Sequence, residues 1–240
     1  KHLFVEFDGE RWLNVHLGLI GKFTVVSRPD GFETVPVEGL VRLRLTNSGW
    51  VGDLRGPTIC AVVTAQMVDQ IQARLGPDPL RAAADPDLAL GRISRSTRPI
   101  AELLMDQSVL AGVGNVYRCE LLFRHRVDPF RPGREIRPTT WGAIWEDLVT
   151  LMPLGVAFGQ ILTMDDQVLD ALAEVADGSP LTIAAHTAMV NGSRLGERFE
   201  RRFNVYKRTG EPCLVCGSRV RTKLVAGRNL FWCGRCQRRR

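Results

Sequence analysis

Four cysteines stand as Cys213-x2-Cys216-x16-Cys233-x2-Cys236. Two CxxC knuckles so separated can bring four thiolates to one tetrahedral zinc ion, with Zn–S distances of about 2.3 Å. Gly217 and Gly234 lie where each knuckle must turn tightly. Two disulfides are one alternative and a redox dithiol is another. The start of the chain shows no basic-then-apolar leader, so a reducing cytosol is expected, where disulfides are rare. Structural zinc is therefore the preferred reading. A module of about 35 residues also needs the metal to fold.

These thiols lie in the most basic part of the chain. Residues 198–240 hold 13 Lys+Arg against 2 Asp+Glu, whereas residues 1–197 hold 19 against 24. Such a block attracts a polyanion, because phosphates pair with Lys and Arg and release counterions. A loose basic tail is the alternative. Arg219, Arg221, Lys223, Arg228 and Arg235 fall within or beside the zinc module, which would hold them on a scaffold, and only 238–240 remain as candidate tail.

A second stretch, Asp106-Gln107-Ser108-Val109-Leu110-Ala111-Gly112-Val113-Gly114-Asn115-Val116-Tyr117, sets two glycines around one apolar residue just before a helical pattern. Glycine lets a backbone approach a ligand closely, and free N–H groups at a helix start favour a phosphate. Asn115 can cap that helix or donate to the phosphate; the residues alone leave both open. His2, His16, His125 and His186 form no metal pair. Cys60 and Cys119 stand alone in apolar surroundings and read as buried packing residues.

The elements that must position these groups fall in a segregated order. Residues 1–63 carry short β-rich runs at 2–7, 12–16, 22–26, 41–46 and 59–63, separated by glycine turns. The pattern then becomes helical. Thr64 is placed to cap a helix with Met67, Val68, Ile71 and Leu75 on one face, and Gly76 to end it. Residues 76–92 read as a linker. Helices are expected over 100–105 after Pro99, over 115–125, around Trp141, Ile144, Trp145, Leu148 and Leu151, and over 166–176; a surface loop is expected over 177–197. Strands segregated from helices predict an α+β multidomain chain rather than a parallel sheet. Its expected domains are 1–75 (β-sandwich with a trailing helix), a 76–92 linker, 93–202 (helical) and 203–240 (zinc finger). Apolar residues at 45% and charged residues at 24% exclude a disordered or fibrous chain. No apolar run reaches the roughly 18 residues of a membrane span.

The Asp106–Tyr117 stretch, followed by Glu120, Leu122, Phe123, Arg124 and Pro129, resembles the helix-two-turn-helix of the formamidopyrimidine-DNA glycosylase/endonuclease VIII family. The C-terminal residues resemble that family's zinc finger: Val205-Tyr206, Arg208, Gly210, Pro212-Cys213, Gly227-Arg228, Phe231-Trp232-Cys233 and Cys236-Gln237. A shorter match covers Lys1-His2-Leu3-Phe4 and His16-Leu17-Gly18-Leu19 with Gly21.

The resemblance implies an N-terminal β-sandwich, a helix-two-turn-helix domain and a zinc-ribbon finger, with damaged DNA as partner, structural zinc as cofactor and a monomer in the bacterial cytoplasm at the nucleoid. It implies base-excision repair: removal of an oxidised base after extrusion of its nucleotide, through a Schiff base and β,δ-elimination. In the family a terminal proline and the following glutamate perform the covalent step. Lys1-His2-Leu3-Phe4 reads as the middle of a strand, so the chain is expected to begin inside a domain, downstream of that pair. A damaged-DNA-binding protein without catalysis is therefore the alternative. An RNA- or transcription-associated zinc ribbon is weaker, because it leaves Gly112-Val113-Gly114-Asn115 unexplained.

Carried over by position, Lys1 reaches a phosphate or the lesion. Gly114 and Asn115 hold a backbone phosphate, as does Arg228 at the finger tip. Leu19 enters the vacated space as a wedge, with a core turn residue as its alternative. Arg55 probes the orphaned base, with a solvated loop charge as its alternative. Pro57 and Thr58 replace the expected aromatic wedge. Ser108 stands where purine-directed members often carry Lys, and no glycine- and threonine-rich capping loop is recognisable in 178–204. Both departures favour oxidised pyrimidines.

Overall fold

The computed structural model describes residues 1–27, 35–176 and 196–238, and the chain divides into two compact units, Lys1–Arg74 and Leu75–Arg240. The first holds β1 (Leu3–Phe7), β2 (Arg11–His16), β3 (Lys22–Ser27), β4 (Leu43–Thr46), β5 (Trp50–Arg55), β6 (Ile59–Thr64) and α1 (Ala65–Gln72). The strands form two antiparallel sheets ordered β1-β2-β6 and β3-β5-β4. Alternate residues of a strand face one side. Leu13 and Val15 of β2 therefore point together, and they meet Leu54 of β5 with Val5, Leu43 and Cys60 packed around them. This shared core makes the unit a β-sandwich. Cys60 packs against this core but is only half-buried, which corrects its reading as a buried residue.

Thr64 caps α1 as its position predicts: its Oγ1 accepts from the Met67 amide at 3.3 Å. The helix ends at Ala73 rather than at Gly76. Gly76 serves a close approach instead, since a Cβ there would sit 2.3 Å from the Val109 carbonyl carbon. Its amide donates to the Gln107 carbonyl at 2.8 Å, and the Ala111 amide donates to the Pro77 carbonyl at 3.0 Å.

The second unit carries α2 (Pro86–Ile93), α3 (Ile100–Leu103), α4 (Asn115–Arg124), α5 (Pro138–Ala157), α6 (Asp165–Ala176) and a hairpin of β7 (Val220–Val225) and β8 (Arg228–Cys233). Helix α2 replaces the linker expected over 76–92 in its last part, from Pro86 on, whereas 76–85 hold no helix or strand. Proline at the first helical turn and Asp85 accepting from the Asp87 amide at 2.9 Å start a helix rather than break one. Ala89 and Ile93 are fully buried, and Trp141 Nε1 of α5 donates to the Pro86 carbonyl at 3.0 Å. Of the loop expected over 177–197, residues 177–195 lie outside the described residues, as do 239–240 of the candidate tail. Among the described residues, no helix is long and apolar enough to cross a membrane.

Candidate nucleic-acid interface and zinc site

Helix α4 is built to join parts distant in sequence. Its buried face presents Tyr117, Cys119, Leu121 and Leu122 to the helical core. Burial pushes the Cys119 thiol up to about 11, consistent with a neutral packing role, and its Sγ accepts from the Phe231 amide of β8 at 3.4 Å. Two charged side chains of the same helix, Arg118 and Glu120, are also fully buried.

The Glu120 carboxylate is the larger hub. Oε1 accepts from the amides of Val205 and Tyr206, both at 2.9 Å. Oε2 accepts from Thr163 Oγ1 at 3.0 Å and from the amide and side chain of Asn204 at 2.9 and 3.0 Å. A buried charge is tolerated when every lone pair is engaged in this way. One turn on, Arg124 donates to Asp147 at 2.7 and 3.0 Å, and His125 Nε2 lies 2.9 Å from the same carboxylate. Those hydrogen bonds outweigh burial and hold the Asp147 carboxyl down at about 2.

The glycine stretch before α4 is stitched by its own side chains. Gln107 donates to the carbonyls of Met105 and Val113 at 3.2 and 3.0 Å and accepts from the Gly112 amide at 3.0 Å. Asp106 accepts from the Ser108 amide and hydroxyl at 3.0 and 2.6 Å and pairs with Arg98 at 2.8 Å. Gly112 has φ +82°, which a side chain rarely adopts. Gly114 is the N-cap of α4 with extended backbone and no side-chain cap, so of the two roles left open for Asn115 the cap is excluded. Asn115 is the first helical residue, and its side chain leaves the helix: Nδ2 donates to the Asn229 carbonyl of β8 at 2.9 Å. Among the described residues no side chain caps the first amides of α4, the arrangement that receives anions.

Residues 213–236 gather the four thiols as expected. All four sulfurs lie within 4.8 Å of one another, with Cys213–Cys236 at 3.9 Å and Cys216–Cys233 at 3.5 Å. Thiolates on a tetrahedral zinc are separated by about 3.8 Å, given Zn–S of about 2.3 Å. Donor set and spacing therefore fit a structural zinc held by Cys213, Cys216, Cys233 and Cys236. Gln237 seats the second knuckle, accepting from the Cys233 amide at 2.8 Å and donating to the Val127 carbonyl at 3.1 Å. Hairpin β7–β8 turns through Ala226 and Gly227 at φ +50° and +71°, as a tight two-residue hairpin requires. Arg228 follows that turn at the tip. The Asn115–Asn229 hydrogen bond thus brings Arg228 and the open start of α4 together.

The remaining sequence candidates lie in the β-sandwich. Lys1 is exposed before β1, its carbonyl 2.5 Å from His16 Nδ1. Leu19 is 74% exposed on the β2–β3 turn, not in the core. That turn is closed by the Gly21 amide donating to the Leu17 carbonyl at 3.0 Å, and Gly18 sits at φ +69° against Thr58. Ile20, 84% exposed beside it, was not singled out by sequence reasoning; an apolar residue next to a wedge in a glycine-bounded turn was the available signal.

Arg55 is not a solvated loop charge. It donates to the Glu38 carbonyl at 3.0 and 2.9 Å, to Thr24 Oγ1 at 3.1 Å and to Asp53 at 2.9 Å. Asp53 also receives Arg44 at 2.7 and 2.8 Å, and those bonds hold its carboxyl below the usual range. Sequence reasoning missed this Arg44–Asp53–Arg55 cluster, because Asp53 and Arg44 meet only across the β4–β5 register.

Comparison with known proteins agrees with this geometry. Residues 75–166 match the formamidopyrimidine-DNA glycosylase H2TH domain, and residues 210–239 match the zinc finger found in FPG and IleRS. Endonuclease 8 1 of Mycobacterium tuberculosis is 46% identical over 99% of this chain and 81% of its own length. Formamidopyrimidine-DNA glycosylase of Thermus thermophilus is 32% identical over 99% of this chain and 79% of its own. Among solved structures, the MutM (Fpg) protein from Thermus thermophilus superposes with a TM-score of 0.69 at 28% identity, covering 99% of this chain and 79% of that one. The Lactococcus lactis Fpg complex with abasic-site DNA gives a TM-score of 0.71 at 21% identity, covering 100% of this chain and 79% of that one, a likeness of fold. The chain belongs to the formamidopyrimidine-DNA glycosylase/endonuclease VIII family of DNA glycosylases.

Proposed function

We propose that this protein removes oxidised pyrimidines from DNA as a bifunctional glycosylase and AP lyase of the endonuclease VIII type. The observation that carries the reading is the joining of the open α4 amides to Arg228 through Asn115 and Asn229. Two sources of positive potential meet there, suited to the phosphates flanking a damaged nucleotide. The higher identity to an endonuclease 8 than to the formamidopyrimidine glycosylase supports the pyrimidine preference, as does Ser108, whose side chain is turned back onto Asp106.

In this account Gly114, Asn115 and Arg228 grip the backbone, and Lys1 reaches a phosphate or the lesion. Leu19 fills the gap left by the extruded nucleotide, and Arg55 leaves its Asp53 pairing to meet the orphaned base. The covalent step is an amine attack on the sugar C1′. The C1′–N bond to the base breaks, and the base leaves with a proton from a general acid. The resulting Schiff base acidifies the adjacent C2′–H and permits loss of the 3′ and then the 5′ phosphate. The family pattern assigns amine and acid to a proline-glutamate start. Zinc holds the finger and takes no part in the bond changes. The protein acts as a monomer at the bacterial nucleoid.

The test is single-turnover base release by the protein as its gene encodes it, on duplexes carrying one oxidised pyrimidine or one 8-oxoguanine. Faster release of the pyrimidine is expected. Faster release of the purine overturns the preference. Tight binding with no release of either indicates a damaged-DNA-binding protein without catalysis.

A further inference from the structure

Arg118 is fully buried, yet no acidic side chain among the described residues lies within ion-pair distance of it. Its bonds go to neutral acceptors: Nη1 to the Val225 carbonyl at 3.3 Å, Nη2 to the Arg228 carbonyl at 3.3 Å, and Nη2 to Asn115 Oδ1. Its Nε has no partner. Glu102 acts on it only at longer range, and a buried guanidinium with no carboxylate bonded to it is costly. A role confined to stability is better filled by an apolar residue of the same volume, so the charge calls for another explanation.

The three acceptors supply one. Val225 and Arg228 are the residues on either side of the Ala226–Gly227 turn, so Arg118 grips both strands at the hairpin tip. Asn115 is the first residue of α4 and itself bonds the next carbonyl of β8, that of Asn229. One side chain therefore spans the helix start and the base of Arg228. Burial depresses the charged form of Arg118 most and the Arg228 guanidinium adds to it, while the Cys119 thiol and the Glu102 carboxylate oppose them without cancelling the effect. Two like charges and the positive end of a helix converge at this one place.

We infer that Arg118 is a positioning residue for DNA binding: it locks the finger tip onto the start of α4, so that Arg228 and the α4 amides engage the same backbone phosphate, whose charge compensates the buried guanidinium. This rests on the DNA-binding reading of that surface and deepens it.

The test compares wild type, R228A, R118M and R118Q in the full chain, with zinc content and melting temperature recorded for each. Binding to a duplex holding an abasic-site analogue is measured against salt. If wild type does not bind, the reading of the surface fails and not this inference alone. If wild type binds, R228A is expected to reduce the magnitude of the negative slope of log K against log[salt] by about 0.9, the value of one phosphate contact. R118M and R118Q, with zinc retained, are expected to lower it by a similar amount and to weaken binding about tenfold. The R118M/R228A double variant should bind no worse than the weaker single variant. An unchanged slope in R118M or R118Q, or additive losses in the double variant, overturns the inference. Should neither Arg118 variant hold zinc, the Arg118 Nε–H resonance of wild type is followed on adding the same duplex. A shift supports phosphate compensation, and an unmoved resonance overturns it.

Discussion

Glu120 accepts five hydrogen bonds inside the protein, and four of them come from residues 204–206 at the entry to the zinc finger. Replacing it by Gln turns an acceptor into a donor that faces backbone N–H groups. Glu120→Gln is expected to cost about 2–4 kcal/mol in urea unfolding, through the orphaned amides. Asp147 offers a pH readout. Its folded carboxyl titrates near 2 against an ordinary 3.8, and its side chain is 17% exposed. The depressed value means the stabilisation is present above pH 4 and is lost as pH falls through about 2. Its size is roughly 2 kcal/mol. Asp147→Asn should flatten the stability-against-pH curve over that window; an unchanged acid limb would falsify the assignment. Glu120 was visible in the sequence as part of a motif, but its partners lie 43 to 86 residues away. Composition and spacing carry no information about such contacts. The same distance hid Arg118, whose acceptors in the finger lie more than 100 residues on.

The elements were legible where a local rule was enough. The Thr64 cap and the α5 stripe each follow from a few neighbouring residues, and the structure keeps both. Helix α2 was not, because Pro86, Asp85 and Ala89 carry loop-like composition while occupying start, cap and packing positions. Gly76 and Asn115 show the same limit. Each is of a type that ends or caps a helix, and each is instead committed to a distant segment. Gly76→Ala is expected to destabilise the second unit by about 2–3 kcal/mol, because its Cβ meets the Val109 backbone and not a movable side chain. Thermal unfolding measures it. In the finger, Ala226 holds φ +50°, which an alanine tolerates poorly. Ala226→Asn should stabilise the hairpin by about 0.5–1 kcal/mol with zinc content unchanged. Cys233→Ser, by contrast, should release zinc and unfold residues 203–238, read by metal analysis and by loss of hairpin signals.

Across the whole molecule, charge and topology assign different work to different parts. The last 43 residues carry the basic excess, 13 Lys+Arg against 2 Asp+Glu, and the four-thiol cluster lies within them. What composition alone left open as a loose tail is, over the described residues, a folded hairpin fastened to α4 by Asn229 and Phe231, with Gln237 bonded to Val127 beyond it. The β-sandwich contributes apolar side chains at a rigid turn and an internal Arg44–Asp53–Arg55 cluster. The most direct test of a covalent glycosylase-lyase is borohydride trapping of the gene-encoded protein on DNA carrying an oxidised pyrimidine. Reduction of the Schiff base should yield a protein–DNA adduct that survives denaturation. Tight binding of that DNA with no adduct would contradict the account.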